Sequence, residues 1–262
     1  MHALETRPKK SLGQNFLVNR HIAEIEAVHA VGKNVLELGA GTGVLTNELC
    51  KVANKVVAVE IDPLLFGALK RRMLYKNLKL VNKDFFKASP EELELGSTDL
   101  MISNIPYKLS SKVIEFLSIN SMQAVLCLQK EFVEHMVAHP GSRKYSRLSV
   151  MAQLSFSMTK IADVSKGNFS PVPKVDSSII YLKPKQRLSK DEATAINLLM
   201  QHKKKTLRNA LRDALKGIFN EAEIEAIAKK TGVADARVFK LDPDTLLGIA
   251  KLINKRRAEL GS

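Results

Sequence analysis

Cysteine is scarce in this chain of 262 residues, with only Cys50 and Cys127. Each sits inside an apolar periodic segment. Both therefore read as buried thiols, which excludes a disulfide framework and suits a reducing cytoplasm. No apolar run approaches the roughly 18–20 residues that span a bilayer, so a membrane protein is not expected. The opening stretch "MHALETRPKKSLGQNF" lacks the apolar core of a signal peptide. Internal repeats and low-complexity tracts are also missing. Acidic charge is short too: 27 Asp and Glu face 41 Lys and Arg, a net charge of +14. Such an excess points to a polyanionic partner, nucleic acid before membrane.

The chain can bury a sizeable core, and 45% apolar with 26% charged residues is ordinary for a globular protein. "KNVLELGAGTGVLTNELCKV" passes from a short strand, Val35 to Leu38, through a glycine-rich turn into an amphipathic helix. "KVVAVEID" is a second strand, ending at Glu60 and Asp62. "PLLFGALKRRML" is a helix with proline near its start. "LKLVNKD" and "TDLMIS" are the third and fourth strands, "KLSSKVIEFL" a helix, "QAVLCLQ" a strand, and a helix runs from Lys130 to about Ala138. Strands alternating with helices predict an α/β domain with a parallel sheet covered on both faces. "MTKIADVSKGNFSPVPKVDSSIIYLKP" breaks the rhythm, as a terminal antiparallel hairpin around a proline-punctuated loop would. Beyond the linker "KPKQRLSKDEA" everything reads as helical. The expected organisation is an α/β domain over residues 1–183 and a small helical domain over 184–262.

In "ELGAGTG", Gly39, Gly41 and Gly43 fall where the first strand gives way to a helix. Glycine there permits positive φ and close approach of a ligand to the backbone. The third glycine of a dinucleotide fingerprint is replaced by Val44, which weakens a pyrophosphate reading. Glu60 stands where an acidic residue meets ribose hydroxyls, and Asp84 could accept from an adenine amino group. Gly39, Glu60, Asp84 and Asn104 thus come in order at four strand ends. A ligand with adenosine and no pyrophosphate fits this set, and S-adenosylmethionine is the commonest. A tight turn with exposed carboxylates closing strands is the alternative for each element alone.

"SNIPY" follows the fourth strand directly. Pro106 removes an N–H and biases Ile105 towards extended geometry, so the Ile105 carbonyl is held out of a helix. With the Asn104 side-chain oxygen it offers two acceptors for the two hydrogens of an exocyclic amine. Holding both hydrogens favours a tetrahedral nitrogen and frees its lone pair to attack a methyl sulfonium. Tyr107 supplies a face for a base, and such stacking is worth roughly 1–3 kcal/mol. Phe169 in "NFSPVPKV" is either a second face or a plug in the core.

Taken together, "KKSLGQNFL", "VLELGAGTGVLT", "VVAVEID", "NIPYKLSS", "YSRLSV", "FSPVPKVDSSII" and "KKKTLRNAL" resemble the ribosomal RNA adenine dimethyltransferases of the KsgA type over essentially the whole chain. The resemblance implies a class I, Rossmann-like methyltransferase fold with a small all-helical C-terminal domain. It implies S-adenosylmethionine as methyl donor and N6 of two adjacent adenines near the 3′ end of small-subunit rRNA as acceptor, during ribosome biogenesis. It puts Asn15, Leu17, Gly39, Gly41, Glu60, Asp84 and Asn104 at the cofactor. It puts Asn104, Ile105, Pro106, Tyr107 and Phe169 around the target base. The implied partner is small-subunit rRNA within an assembling subunit, met by a cytoplasmic monomer. Two departures stand out: "SKGNF" replaces the double proline before the aromatic, and "HKKK" replaces an arginine-rich helix start. The lysines keep the charge without bidentate phosphate geometry.

Rival readings are the large-subunit rRNA methyltransferases of macrolide resistance, a DNA adenine methyltransferase, and a ribosome-assembly binding factor or transcription-factor relative with vestigial catalysis. Lys204, Arg208, Arg212 and Lys216 recur every fourth residue and are expected to form one basic stripe on a helix. Of these, Lys204, Arg208 and Arg212 are the expected RNA contacts. Their joint loss should flatten the salt dependence of binding by roughly 2–3 units if each meets one phosphate. His135 and His139 have zinc-ligand spacing on a predicted helix. No glutamate follows the first and no third ligand is evident, so no metal is expected.

Overall fold

The structure, a computed structural model, describes residues 14–259. Lys9 to Gly13, the first part of "KKSLGQNFL", lie outside the described residues. The chain divides into two compact units. One holds the chain up to Val133 together with Met158–Pro184; the other holds Glu134–Ser157 and the chain from Lys185 onward.

The elements run β1 (Phe16–Leu17), α1 (Arg20–Ala27), β2 (Asn34–Leu38), α2 (Val44–Val52), β3 (Lys55–Val59), α3 (Pro63–Arg72) and β4 (Leu78–Val81). They continue with β5 (Leu100–Asn104), α4 (Ser110–Asn120), β6 (Gln123–Gln129), α5 (Lys130–Met136), α6 (Arg147–Ser155), β7 (Phe156–Val164), β8 (Phe169–Ser170) and β9 (Ser177–Pro184). Seven strands form one sheet in the order β4-β3-β2-β5-β6-β9-β7, and β1 pairs with β8 in a separate ribbon. From β4 to β6 every pairing is parallel, and β9 is antiparallel to β6.

The central strands are buried along almost their whole length, for example Val35, Leu36 and Leu38 of β2. Parallel strands covered on both faces read as continuous apolar runs for this reason. Local signals set the helix starts. Asn19 accepts the His21 amide ahead of α1, and Asp62 accepts the Leu64 amide ahead of α3, whose first residue is Pro63. Strand order switches sides between β2 and β5, since β3 and β4 are added on one side of β2 and β5 and β6 on the other, and a parallel sheet opens its crevice at the carboxyl ends of the strands at such a switch.

The helical unit takes α7 (Lys190–Gln201), α8 (Leu207–Leu215), α9 (Glu221–Lys230) and α10 (Pro243–Glu259). Capping boxes start α7 at Ser189 and Glu192, and α9 at Asn220 and Glu223. Two readings of the sequence need correction here. Residues 134–155 belong with this unit and not with the sheet, which the chain re-enters at Phe156 in β7. Tyr145 shows why: its side chain is fully buried in the helical core, and its hydroxyl donates to the Leu241 carbonyl at 2.9 Å. Gly141 N–H likewise donates to the Phe239 carbonyl at 2.7 Å. The basic stripe is also interrupted. The stretch from Ala195 to Phe219 is two helices, and Thr206 stands as N-cap between Lys204 and the start of α8. Gly217, with φ of 81°, follows the end of α8, so Lys216 lies off the helix as well. The helix α5 ends at Met136, which leaves His139 off the predicted helical pair.

Candidate active site

A cleft of about 220 Å³ lies in the first unit. Its wall is built from the carboxyl ends of the strands: Leu38 closing β2 and Gly39 after it, Val59 closing β3 and Glu60 after it, Asp84 beyond β4, and Asn104 closing β5. Asn15, Gly41, Ile105, Pro106, Tyr107 and Phe169 also line it. The strand-end residues from Leu38 to Asn104 meet because a parallel sheet collects its strand ends on one edge, and the separate β1–β8 ribbon adds Phe169.

The glycine turn and the second strand end are one hydrogen-bonded piece. Glu60 Oε2 accepts the Gly41 N–H at 2.8 Å, and Oε1 accepts the Asp62 N–H at 2.8 Å. Burial still raises the Glu60 carboxyl above its ordinary value, against the pull of these bonds. Gly39 has φ of 77°, and a Cβ added there would meet nothing within 4 Å. At Gly41, with φ of 58°, an added Cβ would stand 3.0 Å from the Phe16 ring of β1, which would have to give way. Asp84 accepts the Phe86 N–H at 3.1 Å through Oδ1 and so starts a short 3₁₀ turn.

Asn104 donates through Nδ2 to Glu26 Oε2 at 3.1 Å. Its Oδ1 is buried and has no hydrogen-bond partner among the described residues, and the same holds for Glu26 Oε1. A buried acceptor left without a partner is costly and marks a place where an incoming donor gains. The next turn is closed by Leu109 N–H donating to the Pro106 carbonyl at 2.7 Å, which leaves the Ile105 carbonyl outside it. Tyr107 is half-buried, with its hydroxyl 2.9 Å from Ser177 Oγ, a bond that fixes the ring at the cleft.

Phe169 both lines the cleft and belongs to the apolar core of this unit. Leu17 is different: it is buried in that core, pairs with Phe169 in the β1–β8 ribbon, and does not line the cleft. Phe16, its neighbour, does. Alternation of side chains along an extended segment sends one residue to each side. Sequence reasoning also missed Glu26 and Glu37. Both are fully buried, and burial pushes each carboxyl up to about 8. The available signal at Glu26 was a glutamate among Ile22, Ala23 and Ala27, on the buried face of α1.

On the helical unit, Arg208 is ion-paired with Glu225 and Asp235, and Arg212 with Glu221 at 2.5 Å. Lys204 makes no ion pair among the described residues. It lines a second, open pocket with Lys205, Arg212 and Arg237. His135 Nδ1 lies 2.8 Å from the Lys144 carbonyl. Among the described residues no group of three metal-ligating side chains occurs and no helix is long and apolar enough to cross a membrane.

The model of the family "Ribosomal RNA adenine dimethylase" matches residues 5–255. A probable ribosomal RNA small subunit methyltransferase A of Thermococcus gammatolerans is 36% identical, with 93% of this chain and 88% of that protein aligned. The ribosomal RNA small subunit methyltransferase A of Mycoplasmopsis pulmonis is 37% identical over 83% of this chain and 87% of its own. Among solved structures, a dimethyladenosine transferase from Plasmodium falciparum superposes with a TM-score of 0.79 at 29% identity, covering 92% of this chain and 98% of that one. The 23S rRNA methyltransferase ErmE gives 0.64 at 26% identity, with 92% and 100% covered. The sheet is accordingly the Rossmann-like sheet of class I methyltransferases, with the helical C-terminal region expected from the sequence. A strand-end cleft with an unpaired amide oxygen, on a chain matched almost end to end, leaves one assignment: the protein belongs to the ribosomal RNA adenine dimethylase family, a family of methyltransferases.

Proposed function

We propose that the chain transfers methyl groups from S-adenosylmethionine to N6 of two adjacent adenines near the 3′ end of small-subunit rRNA. It acts on an assembling subunit, as a monomer in the cytoplasm. The observation that carries this reading is the unpartnered Asn104 Oδ1 in a cleft whose other strand ends supply Gly39, Glu60 and Asp84. The cleft residues suit the cofactor. Open space stands where a Gly39 side chain would be, and the Glu60 and Asp84 oxygens that accept backbone amides keep further lone pairs. Glu60 takes the ribose and Asp84 the adenine, with Asn15 and Gly41 completing that side.

S-adenosylmethionine supplies a methyl group on a positively charged sulfur, open to attack by a nitrogen lone pair. Asn104 Oδ1 and the Ile105 carbonyl accept the two N6 hydrogens, which turns that lone pair out of the adenine ring. Pro106, with φ of −55°, holds this corner extended. Tyr107 and Phe169 flank the base once it has left its stack, and stacking offsets part of the cost of flipping it. The N6 proton is lost readily when the nitrogen becomes positive, so no strong base is required. Lys204, Arg208 and Arg212 form the RNA-facing basic set, in which Lys204 contacts a backbone phosphate while Arg208 and Arg212 stay tied to Glu225 and Glu221.

The relatives named as small-subunit enzymes support that choice of subunit, and the 23S enzyme is the alternative. Labelled methyl transfer to small subunits lacking the modification, large subunits and free RNA, with the modified nucleotides mapped, separates them. Dimethyladenosine at adjacent positions of the small-subunit RNA is the expected product. Monomethylation alone, or label in the large subunit, overturns the proposal.

A further inference from the structure

Glu26 stands 78 residues before Asn104 in sequence and holds it in space, yet it does not line the cleft. The carboxyl is fully buried at the end of α1. One oxygen accepts from the Asn104 amide, and the other has no partner among the described residues. A side-chain amide has a donating and an accepting end of nearly equal size, and rotating it by half a turn exchanges them. In the proposed reaction only one orientation works. The oxygen must meet the amine, and an NH₂ group there would repel it.

We infer that Glu26 is a positioning residue that selects which end of the Asn104 amide is offered to the substrate amine. This rests on the reaction proposed above. An ionised carboxylate only accepts hydrogen bonds, so it holds Nδ2 and leaves Oδ1 for the cleft. A protonated carboxyl can also donate, and could then hold Oδ1 and turn Nδ2 the wrong way. The orientation should therefore be tightest when Glu26 is ionised.

The groups around it bias that state. Glu37 on β2 repels a second negative charge, and the Cys127 thiol on β6 is itself pushed up by burial and by Glu26. Burial first, then Glu37, pushes the Glu26 carboxyl up to about 8, so its ionisation falls in an accessible range.

Two measurements test the inference. In the free wild-type protein, the side-chain amide resonances of Asn104 are assigned by their loss in Asn104→Ala and followed through the titration. They should shift with a midpoint near 8 and lose that shift in Glu26→Gln. In single-turnover transfer, Glu26→Gln and Glu26→Met should slow the chemical step roughly ten- to a hundredfold, as loss of an outer partner of a functional side chain does. Both should keep wild-type affinity for S-adenosylmethionine, and the wild-type rise in rate across the same pH range should flatten. Asn104 resonances that ignore pH, or variants with the wild-type rate and profile, overturn the role of Glu26. Wild-type protein that transfers no methyl group to RNA overturns the reaction instead, and the resonance titration still decides the pairing.

Discussion

Glu60 Oε2 accepts the Gly41 N–H at 2.8 Å and so binds the end of β3 to the glycine turn after β2. The carboxylate is thus a strut of the cleft as well as the proposed partner of a ribose. Replacing it by alanine should weaken S-adenosylmethionine binding by about 1.5–3 kcal/mol, the range for lost charge-assisted bonds. Calorimetric titration measures this. Unchanged affinity would reduce Glu60 to its structural bonds.

Asn104→Ala removes the unpaired acceptor and leaves Glu60 and Asp84 in place. The barrier to methyl transfer should rise by about 2–4 kcal/mol, the cost of losing one preorganised polar partner in an active site. Cofactor binding should remain measurable. Single-turnover rates close to wild type would remove Asn104 from the mechanism.

Tyr107 offers two separable contributions, a ring at the cleft and a hydroxyl bonded to Ser177. Alanine at this position should cost about 1–3 kcal/mol in binding of the target base. Phenylalanine keeps the ring and should cost only the hydroxyl bond, about 0.5–1.5 kcal/mol. Comparing KM for the particle in the two variants distinguishes stacking from anchoring; equal losses would argue against stacking.

The buried carboxyls predict a pH dependence of stability. Glu26 and Glu37 keep their protons to about pH 8 when folded, against an ordinary carboxyl value of 4.5. Between those values the unfolded chain binds fewer protons than the folded one, so stability falls as pH rises. Their contribution is complete below about 4.5 and lost through about 8, on the order of a few kcal/mol. Melting temperatures across this range should decline, and Glu26→Gln with Glu37→Gln should flatten the decline. Glu37→Gln keeps an acceptor for the Thr46 hydroxyl, which donates at 2.7 Å.

On the helical unit, changing Lys204, Arg208 and Arg212 together to alanine should weaken particle binding and spare cofactor affinity. Because Arg208 and Arg212 already have carboxylate partners, the slope of log affinity against log salt should flatten by about 1 unit, not 2–3. An unchanged slope and affinity would return these cations to the solvent.

Much of the cleft was legible in the sequence because a parallel α/β sheet turns linear order into spatial order. Gly39, Glu60, Asp84 and Asn104 end successive strands, and the strand ends share one edge. The helical segments and the glycine turn follow from local rules of capping and φ. What tertiary structure alone decided lies between segments with no sequence period in common. Leu17 and Phe16 could not be assigned to core and cleft until the β1–β8 ribbon set the register. Arg208 and Arg212 read as a free stripe on α8 until α9 brought Glu225 and Glu221 against them. Residues 134–155 read as part of the sheet domain until Tyr145 found its place in the helical core. Glu26 is the clearest case: on α1 it looks like one more helix-forming glutamate. Only folding buries it, takes its water, and leaves it the Asn104 amide as a partner.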